Sequence, residues 1–496
     1  MVICGNGNRG RRPTASKSSR VFLIGTQLAL TCLLSGGPAR AQVGGVYVDP
    51  QGVLREASTL GDGARLEALR SEAADASPSR DVSAPSPLRR VSLRRLQDAV
   101  KSLHDQRQPL PSDICFLAGI NRLQYLFFHP DEDDVVLAGP AEGWEQAPGG
   151  EVVGAKSRRP VLHLDDLLHA LRYAFDDRPA SPFLGCSIEP TAEGVKRHAA
   201  YMNGLQMDRG RLPEIFAGME NAMGPQAVKL YGVPESSRFA LKLVAADYRL
   251  KRLALAHDPS PVPEVVNYLD LQAKRGVHAG PQRQHRWWFV AQYDAVHHTP
   301  DRLAWELEGT GVVVRTAPSM PGKPKSGGPK GANVKGAKNP AKEPQASPAA
   351  QQFATLATKH FARLAGRVPV FAELENVVAL SVAAELIRER CDAAFAEKTD
   401  AAKGEAPADL YRFDHFLEEA ECPTARVNVP RNIPSLTNSR FVDGRNWLIS
   451  ISGGVELNPR EAARAEVRKE TTRGPLAETR AVHRPDHARW WWDDGK

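Results

Sequence analysis

The chain reads as an α+β protein: mixed and antiparallel sheets with packed helices, interrupted by a disordered Lys/Gly/Pro linker. Three observations predict this class. Short apolar runs of strand length alternate with turn residues, as in Leu123–Phe128, His129–Asp134 and Val135–Leu137. Elsewhere apolar residues recur at helical spacing, as in Leu164, Leu167, Leu168, Leu171 and Phe175. Residues 317–350 carry six lysines among Pro, Gly, Ala and Asn and hold too few apolar side chains to bury a core.

The elements follow in order. Arg9, Arg11, Arg12, Lys17 and Arg20 precede an apolar run, Val21–Leu34, and then Gly36, Gly37, Pro38 and Ala39-Arg40-Ala41. Basic, apolar and small helix-breaking residues in that order predict a secretory signal peptide over 1–41, cut between Ala41 and Gln42. Residues 42–90 read as an extended lead and linker. Ser92 is a suitable N-cap for a helix whose stripe is Leu93, Leu96, Val100 and Leu103, ended by Pro109 and Pro111. The main α+β unit is expected over 91–316. It holds the Leu123–Leu137 hairpin and the helix from Leu164 to Phe175. A strand follows at Phe183–Ile188, then helices at Glu193–Leu205 and Leu212–Met223. Next come a strand at Ala227–Val233 and a helix at Phe239–Tyr248. Arg286–Tyr293, Leu303–Leu307 and Val312–Val314 predict three successive strands, with one ring of Trp287-Trp288 inward and one outward. After the linker, 351–457 is expected as a helical continuation that packs on the main unit. It has an amphipathic helix at Phe353–Leu364, a long buried helix from Val370 and a strand at Arg445–Leu457. So few elements make a poor independent core. Residues 458–496 are charged and end near Trp490-Trp491-Trp492, which predicts a disordered tail with an aromatic docking segment as the sharper alternative.

Charge restricts the partners. The chain carries 65 Lys+Arg and 58 Asp+Glu, a net +7. Six of the basic residues lie in 1–41, so cleavage leaves 59 against 58. A nearly neutral chain has no broad electrostatic footprint for a phosphate backbone, so nucleic acid is not the expected partner. The apolar run of the leader is shorter than the roughly 20 residues of a membrane span. No integral span is expected after cleavage, and the protein is expected to be exported, either periplasmic or secreted.

Four cysteines follow residue 41: Cys115, Cys186, Cys391 and Cys422. The first two sit in apolar context and read as buried small residues. Cys391 and Cys422 flank a polar insert, and export permits a disulfide between them. The only glycine fingerprint, Gly5-Asn-Gly7-Asn-Arg-Gly10, lies in the leader with no strand before it, so it carries no dinucleotide expectation. No cofactor and no metal are expected, since Cys-x-x-Cys, His-Glu-x-x-His, P-loop and Gly-x-Ser-x-Gly patterns are all missing.

The remaining candidates for chemistry are few. His163 with Asp165 and Asp166 has the types of a general base and carboxylates, against a plain helix N-terminus that favours acidic residues. His297-His298 with Asp301 offers donors at short spacing, but adjacent residues on a strand point apart. Cys186 has the type of a nucleophile, although apolar neighbours raise a thiol's pKa. Asp247 belongs to a charged group with Arg238, Tyr248, Arg249, Lys251 and Arg252, and its i,i+4 spacing to Lys251 suits a pair on a helix surface.

Several segments together resemble a known family. They are Val135–Trp144, Val161–Leu168, Gly185–Thr191, Ala246–Arg252, Arg286–Phe289 and Pro369–Leu374. They resemble a secreted family typical of planctomycete bacteria, known as domain of unknown function 1598, from about 43 to 457 apart from the linker. The resemblance implies an exported protein, one unit on both sides of the linker, and no catalytic residue to carry over. Two function classes stay open: a non-enzymatic envelope or extracellular protein for binding or assembly, with an envelope macromolecule as partner, and an exported hydrolase acting on peptides or glycans.

Overall fold

The computed structural model describes residues 42–43, 46–48, 54–56, 78–147, 151–176, 178–206, 209–275, 285–318, 346–401, 429–435, 437–442, 445–464, 467–471, 474–480 and 489–494. The chain divides into two units, Met1–Ala41 and Gln42–Lys496, and the described residues all belong to the second.

Three short strands come first: β1 (Gln42–Val43), β2 (Val46–Val48) and β3 (Leu54–Glu56), which form an antiparallel sheet. Strand β4 (Ser86–Ser92) runs into α1 (Leu93–Asp105), where the Ser92 hydroxyl accepts from the Arg95 amide as N-cap. A single turn, α2 (Ser112–Cys115), leads to β5 (Tyr125–His129) and β6 (Asp134–Ala141), the expected hairpin. A small ribbon of β7 (Trp144–Gln146) and β8 (Val152–Gly154) precedes α3 (Leu164–Phe175). Then come β9 (Leu184–Pro190), α4 (Ala192–Asn203), α5 (Leu212–Met223) and β10 (Gln226–Tyr231).

Helix α6 (Arg238–Ala254) runs six residues beyond the expected end at Tyr248. It is capped by the Ser237 hydroxyl and buried on nearly all sides. After α7 (Tyr268–Lys274), four strands follow: β11 (His285–Ala291), β12 (Ala295–His298), β13 (Ala304–Glu308) and β14 (Val312–Pro318). The expected Lys/Gly/Pro linker falls almost wholly outside the described residues. Beyond it lie α8 (Pro348–Lys359), α9 (Phe361–Ala365) and α10 (Pro369–Ala401). Last come β15 (Asn432–Ile433), β16 (Thr437–Val442), β17 (Arg445–Leu457), α11 (Pro459–Ala462), β18 (Arg468–Glu470), α12 (Gly474–Arg480) and β19 (Trp491–Asp493). The class is α+β, as expected.

Two seven-stranded sheets organise these elements. The first has the order β14-β11-β17-β9-β10-β15, with β16 added on β17. Only β11 and β17 run parallel in it. The second has the order β18-β12-β13-β5-β6-β4-β19, with β12 and β18 parallel. Strand β17 therefore lies inside a sheet, between β11 and β9, two strands that come from before the linker.

Two organisational expectations change. Residues 86–90 belong to β4 and not to a lead or linker, because Val91 and its neighbours complete the second sheet. Residues 458–496, expected as a disordered tail, supply α11, β18, α12 and β19. Their apolar residues are few, but Leu476 and Trp492 cover the outer face of the second sheet with Phe127, Val136, Ala138 and Ala304. Strand β6 is thus buried on both faces, which alternation alone did not indicate.

The main core lies between the sheets and the helices. Trp287 faces it from β11, in edge contact with Tyr268 and Phe353, and its Nε1 donates to the Ala350 carbonyl at 3.1 Å. Trp288, on the opposite face, is half-buried with the Arg286 guanidinium 5.3 Å from its ring centre. One ring is in and one out, as alternation requires.

The adjacent glycines of β17 let its neighbours close in. A Cβ at Gly454 would stand 2.0 Å from the Cys186 carbonyl oxygen, and one at Gly453 would stand 1.9 Å from that of Trp287. Gly454→Ala is therefore expected to lower stability at or above the upper end of the roughly 1–3 kcal/mol typical of overpacking. Gly366→Ala, where the nearest atom is 3.4 Å away, should change little. Thermal melts of both variants check this, and equal melting points would contradict it.

Candidate functional site

Helix α6 carries charge on two opposite faces. Arg238 and Lys242 are one turn apart, as are Asp247 and Lys251. The second pair lies nine residues beyond the first, half a revolution around the axis at about 100° per residue. Arg238 and Lys242 accordingly meet α3 and α10, while Asp247 and Lys251 meet the first sheet.

The first cluster joins three helices. Arg238 pairs with Asp166 on α3, and its Nη2 donates to Glu373 Oε1 on α10 at 2.7 Å. Lys242 Nζ reaches the same oxygen at 3.1 Å. His163, at the N-cap position of α3, is 5% exposed. Neither ring nitrogen has a hydrogen-bond partner, and its ring edge meets Phe116 at 5.0 Å. Burial, reinforced by Arg238 and Lys242, holds His163 well below its ordinary value and therefore neutral. Burial pushes Asp166 upward against the pull of Arg238. Asp166 Oδ1 and Glu373 Oε2 have no hydrogen-bond partner. Two residues further along α10, Glu375 pairs with Arg159, and the amide of the next residue, Asn376, donates to the Pro160 carbonyl at 3.1 Å. Glu375 Oε1 and Asn376 Oδ1 lack hydrogen-bond partners.

Asp165, the expected partner of His163, makes no hydrogen bond to it; it is half-buried and its charge acts on His169, one turn along α3, while Asp166 is buried. Adjacent helical residues lie about 100° apart, so only one of the two can face the core.

The second cluster lies against the first sheet. Lys251 Nζ stands 2.8 Å from Asp247 Oδ2 and donates to the Ile188 carbonyl at 3.1 Å. The ion pair lacks hydrogen-bond alignment, so both Asp247 oxygens remain without hydrogen-bond partners. Asp247 and Lys251 are both 0% exposed, which corrects the expectation of a pair on a helix surface. Residue spacing places two side chains on one face but does not say what covers it. The Cβ-free Gly453 provides the room: a Cβ there would come within 3.2 Å of Asp247 Oδ1. Burial raises Asp247 against the pull of Lys251. Burial, then Asp247, pushes the Cys186 thiol well up, so this cysteine is a protonated core residue at neutral pH.

The five candidate residues lie in separate places. Cys186 and Asp247 meet beneath β9, His163 lies at the other end and opposite face of α6, and Asp165 makes no hydrogen bond to its ring. His297 is on β12 of the second sheet, with Nε2 2.7 Å from Glu308 Oε2. His298 faces the other way, bound at Nδ1 to the Thr299 carbonyl at 2.9 Å. Arg249 and Arg252 go to a third place, where both pair with Asp258. Of the expected disulfide, Cys391 lies in α10 and Cys422 outside the described residues. Of the expected cleavage site, Ala41 is outside them and Gln42 begins β1. Among the described residues no group of three or more His, Cys, Asp or Glu is arranged to hold a metal ion, and no helix is long and apolar enough to cross a membrane.

His163 sets a pH dependence that can be measured. Its folded-state pKa is depressed, so its contribution is present above about pH 6.5 and is lost as pH falls below that value. The slope approaches about 1.4 kcal/mol per pH unit for a full proton. His163→Phe, which removes two unpartnered nitrogens, should flatten the loss between pH 7.5 and 5.5. Urea midpoints at the two pH values check it, and an unchanged slope would rule out this role.

The model of a protein family of unknown function, DUF1598, matches residues 186–268, from Cys186 in β9 to Tyr268 in α7. The chain resembles that family over this span, which contains α6 and its Asp247–Lys251 pair. No curated protein and no solved structure matches the chain.

Proposed function

We propose that this is an exported protein that binds a macromolecule of the cell envelope rather than transforming a substrate. The observation that carries the reading is where the reactive residue types lie. His163, Asp166, Cys186 and Asp247 are nearly or fully buried, and the two carboxylates are paired within the fold, Asp166 with Arg238 and Asp247 with Lys251. Raised carboxylates and a raised thiol suit neutral packing groups more than a solvent-facing nucleophile. The outer face of the first sheet offers a different surface. Register puts Glu189, Arg286, Trp288 and Glu456 on that face, all half-buried, with the buried Ser452 and Gly454 between them. A half-buried ring between charged groups, beside a neighbouring strand whose Gly454 carries no side chain, suits contact with an extended polymer.

Export is supported by the leader pattern of Arg9–Arg20, Val21–Leu34 and Ala39–Ala41. Fractionation of cells that make the native chain, with sequencing of the mature N-terminus, tests it. A mature chain starting at Gln42 outside the cytoplasm is the expected result, and an intact cytoplasmic chain would overturn it. Co-sedimentation with envelope material tests binding. The native chain should be retained, and Trp288→Ala should reduce retention at least several-fold. No retention, together with peptide or glycan hydrolysis that His163→Ala or Cys186→Ser abolishes, would support an exported hydrolase instead.

A further inference from the structure

Strand β19 completes the second sheet from far along the chain. It lies antiparallel on β4, with Trp491 opposite Val91, Trp492 opposite Arg90 and Asp493 opposite Arg89. The Ser92 amide donates to the Trp490 carbonyl at 2.9 Å, which extends the ladder by one residue. Two buried arginines read the strand's side chains. Arg89 Nε and Nη2 donate to Asp493 Oδ1 and Oδ2 at 2.8 and 3.1 Å. Arg90 Nε and Nη2 donate to Asp494 Oδ1 and Oδ2 at 3.0 and 3.2 Å. These are paired, bidentate contacts, the strong form of carboxylate recognition. Trp491 lies between the Arg89 and Arg489 guanidinium groups, 4.6 and 3.8 Å from its ring centre. Trp492 joins Phe127 and Leu476 on the outer face.

The β4 edge is thus a recognition slot for a Trp-Trp-Asp-Asp strand, with main-chain bonds for affinity and two arginines and two aromatic sites for selectivity. Removing the strand would take both aspartates from Arg89 and Arg90 and leave Arg89 only backbone carbonyls, so the slot calls for an occupant with paired carboxylates. That four-residue pattern occurs once in the sequence, at Trp491–Asp494. Every copy of the chain therefore carries one slot and one matching strand.

We propose that the β4 edge also accepts the Trp490–Asp494 segment of a second copy, so that copies join by exchanging this strand. The contacts made within one copy and between two are the same, so concentration decides between them. Eight residues separate Arg480 of α12 from Arg489. A tether of that length gives the chain's own segment an effective concentration on the order of mM. Exchange then competes where copies are crowded to that level, as on a surface they bind.

The test mixes two full-length variants, Val91→Cys and Trp491→Cys. These positions face each other in a pair without ladder hydrogen bonds, close enough for a disulfide. A third chain that carries both substitutions should close within one copy and verify the register. On mild oxidation, the mixture should give a covalent dimer linked between positions 91 and 491. Its yield should rise from about 10 μM to about 1 mM and fall when the Trp491→Cys donor also carries Asp493→Asn and Asp494→Asn. Peptide mapping separates this link from bonds through native cysteines. If the double variant closes but the mixture yields no 91–491 dimer at about 1 mM, exchange is overturned. If the double variant does not close, the slot itself is overturned. Envelope retention uses none of these residues, so either failure leaves that reading standing.

Discussion

Asp247→Ala is expected to destabilise the fold by about 3–5 kcal/mol, the cost of breaking one side of a buried ion pair. Lys251 is 0% exposed and would keep the Ile188 carbonyl as a hydrogen-bond partner but lose the carboxylate 2.8 Å away. The loss should depend on which partner is removed. Lys251→Met leaves Asp247, whose pKa burial already raises, and a carboxyl can shed its charge by taking a proton. Its deficit should therefore be smaller than that of Asp247→Ala and should shrink as pH falls. Asp247→Leu with Lys251→Met should recover most of the stability, because apolar groups of similar volume replace a buried pair at little cost. Urea denaturation of the three variants decides the matter. A loss below about 1 kcal/mol for Asp247→Ala would mean that water reaches the pair.

That pair also shows how far residue patterns reach. The i,i+4 spacing of Asp247 and Lys251 was legible, as was most of α6, because both follow from a local period. Their burial was not, since it depends on β17, a strand two hundred residues away. A signal for it existed: Ser452-Gly-Gly454 inside a strand marks close backbone approach. The Arg238 cluster was half legible. Asp166 and Arg238 stood out as charges beside apolar stripes, but Glu373, Glu375 and Asn376 were lost in a helix that reads as apolar on most sides. Charged residues inside such a helix are themselves a sign, because buried charge needs partners.

The β4 edge lay beyond pattern reading for a similar reason. Arg89 and Asp493 are 404 residues apart, and no periodicity links a basic pair with an acidic one at that distance. The aromatic run at Trp490–Trp492 was visible as a docking segment; its receptor on the same chain was not. The two seven-stranded sheets share this property. Their hairpins are local, but β15, β16 and β17 in the first and β18 and β19 in the second are added from after the linker.

Arg238→Met should cost a similar amount, about 3–5 kcal/mol at pH 7.5, and its pH dependence separates charge from packing. The variant leaves Asp166 without its ion-pair partner, while Glu373 keeps Lys242. Asp166 has a folded-state pKa above its unfolded value. Its penalty is therefore absent below the ordinary carboxylate pKa, about 3.9, and builds as pH rises through the folded value. Without Arg238 the folded pKa rises further, so the penalty at neutral pH grows and acidification relieves more of it. His163 adds to the same trend. Arg238 helps hold its pKa down, so the native protein loses stability below about pH 6.5 more steeply than the variant does. Both effects narrow the gap between native and variant as pH falls from 7.5 to 5. Urea midpoints at the two pH values measure it. A gap that stays constant would assign the loss to the methylene packing of Arg238 alone, and a widening gap would contradict the assigned shifts of Asp166 and His163.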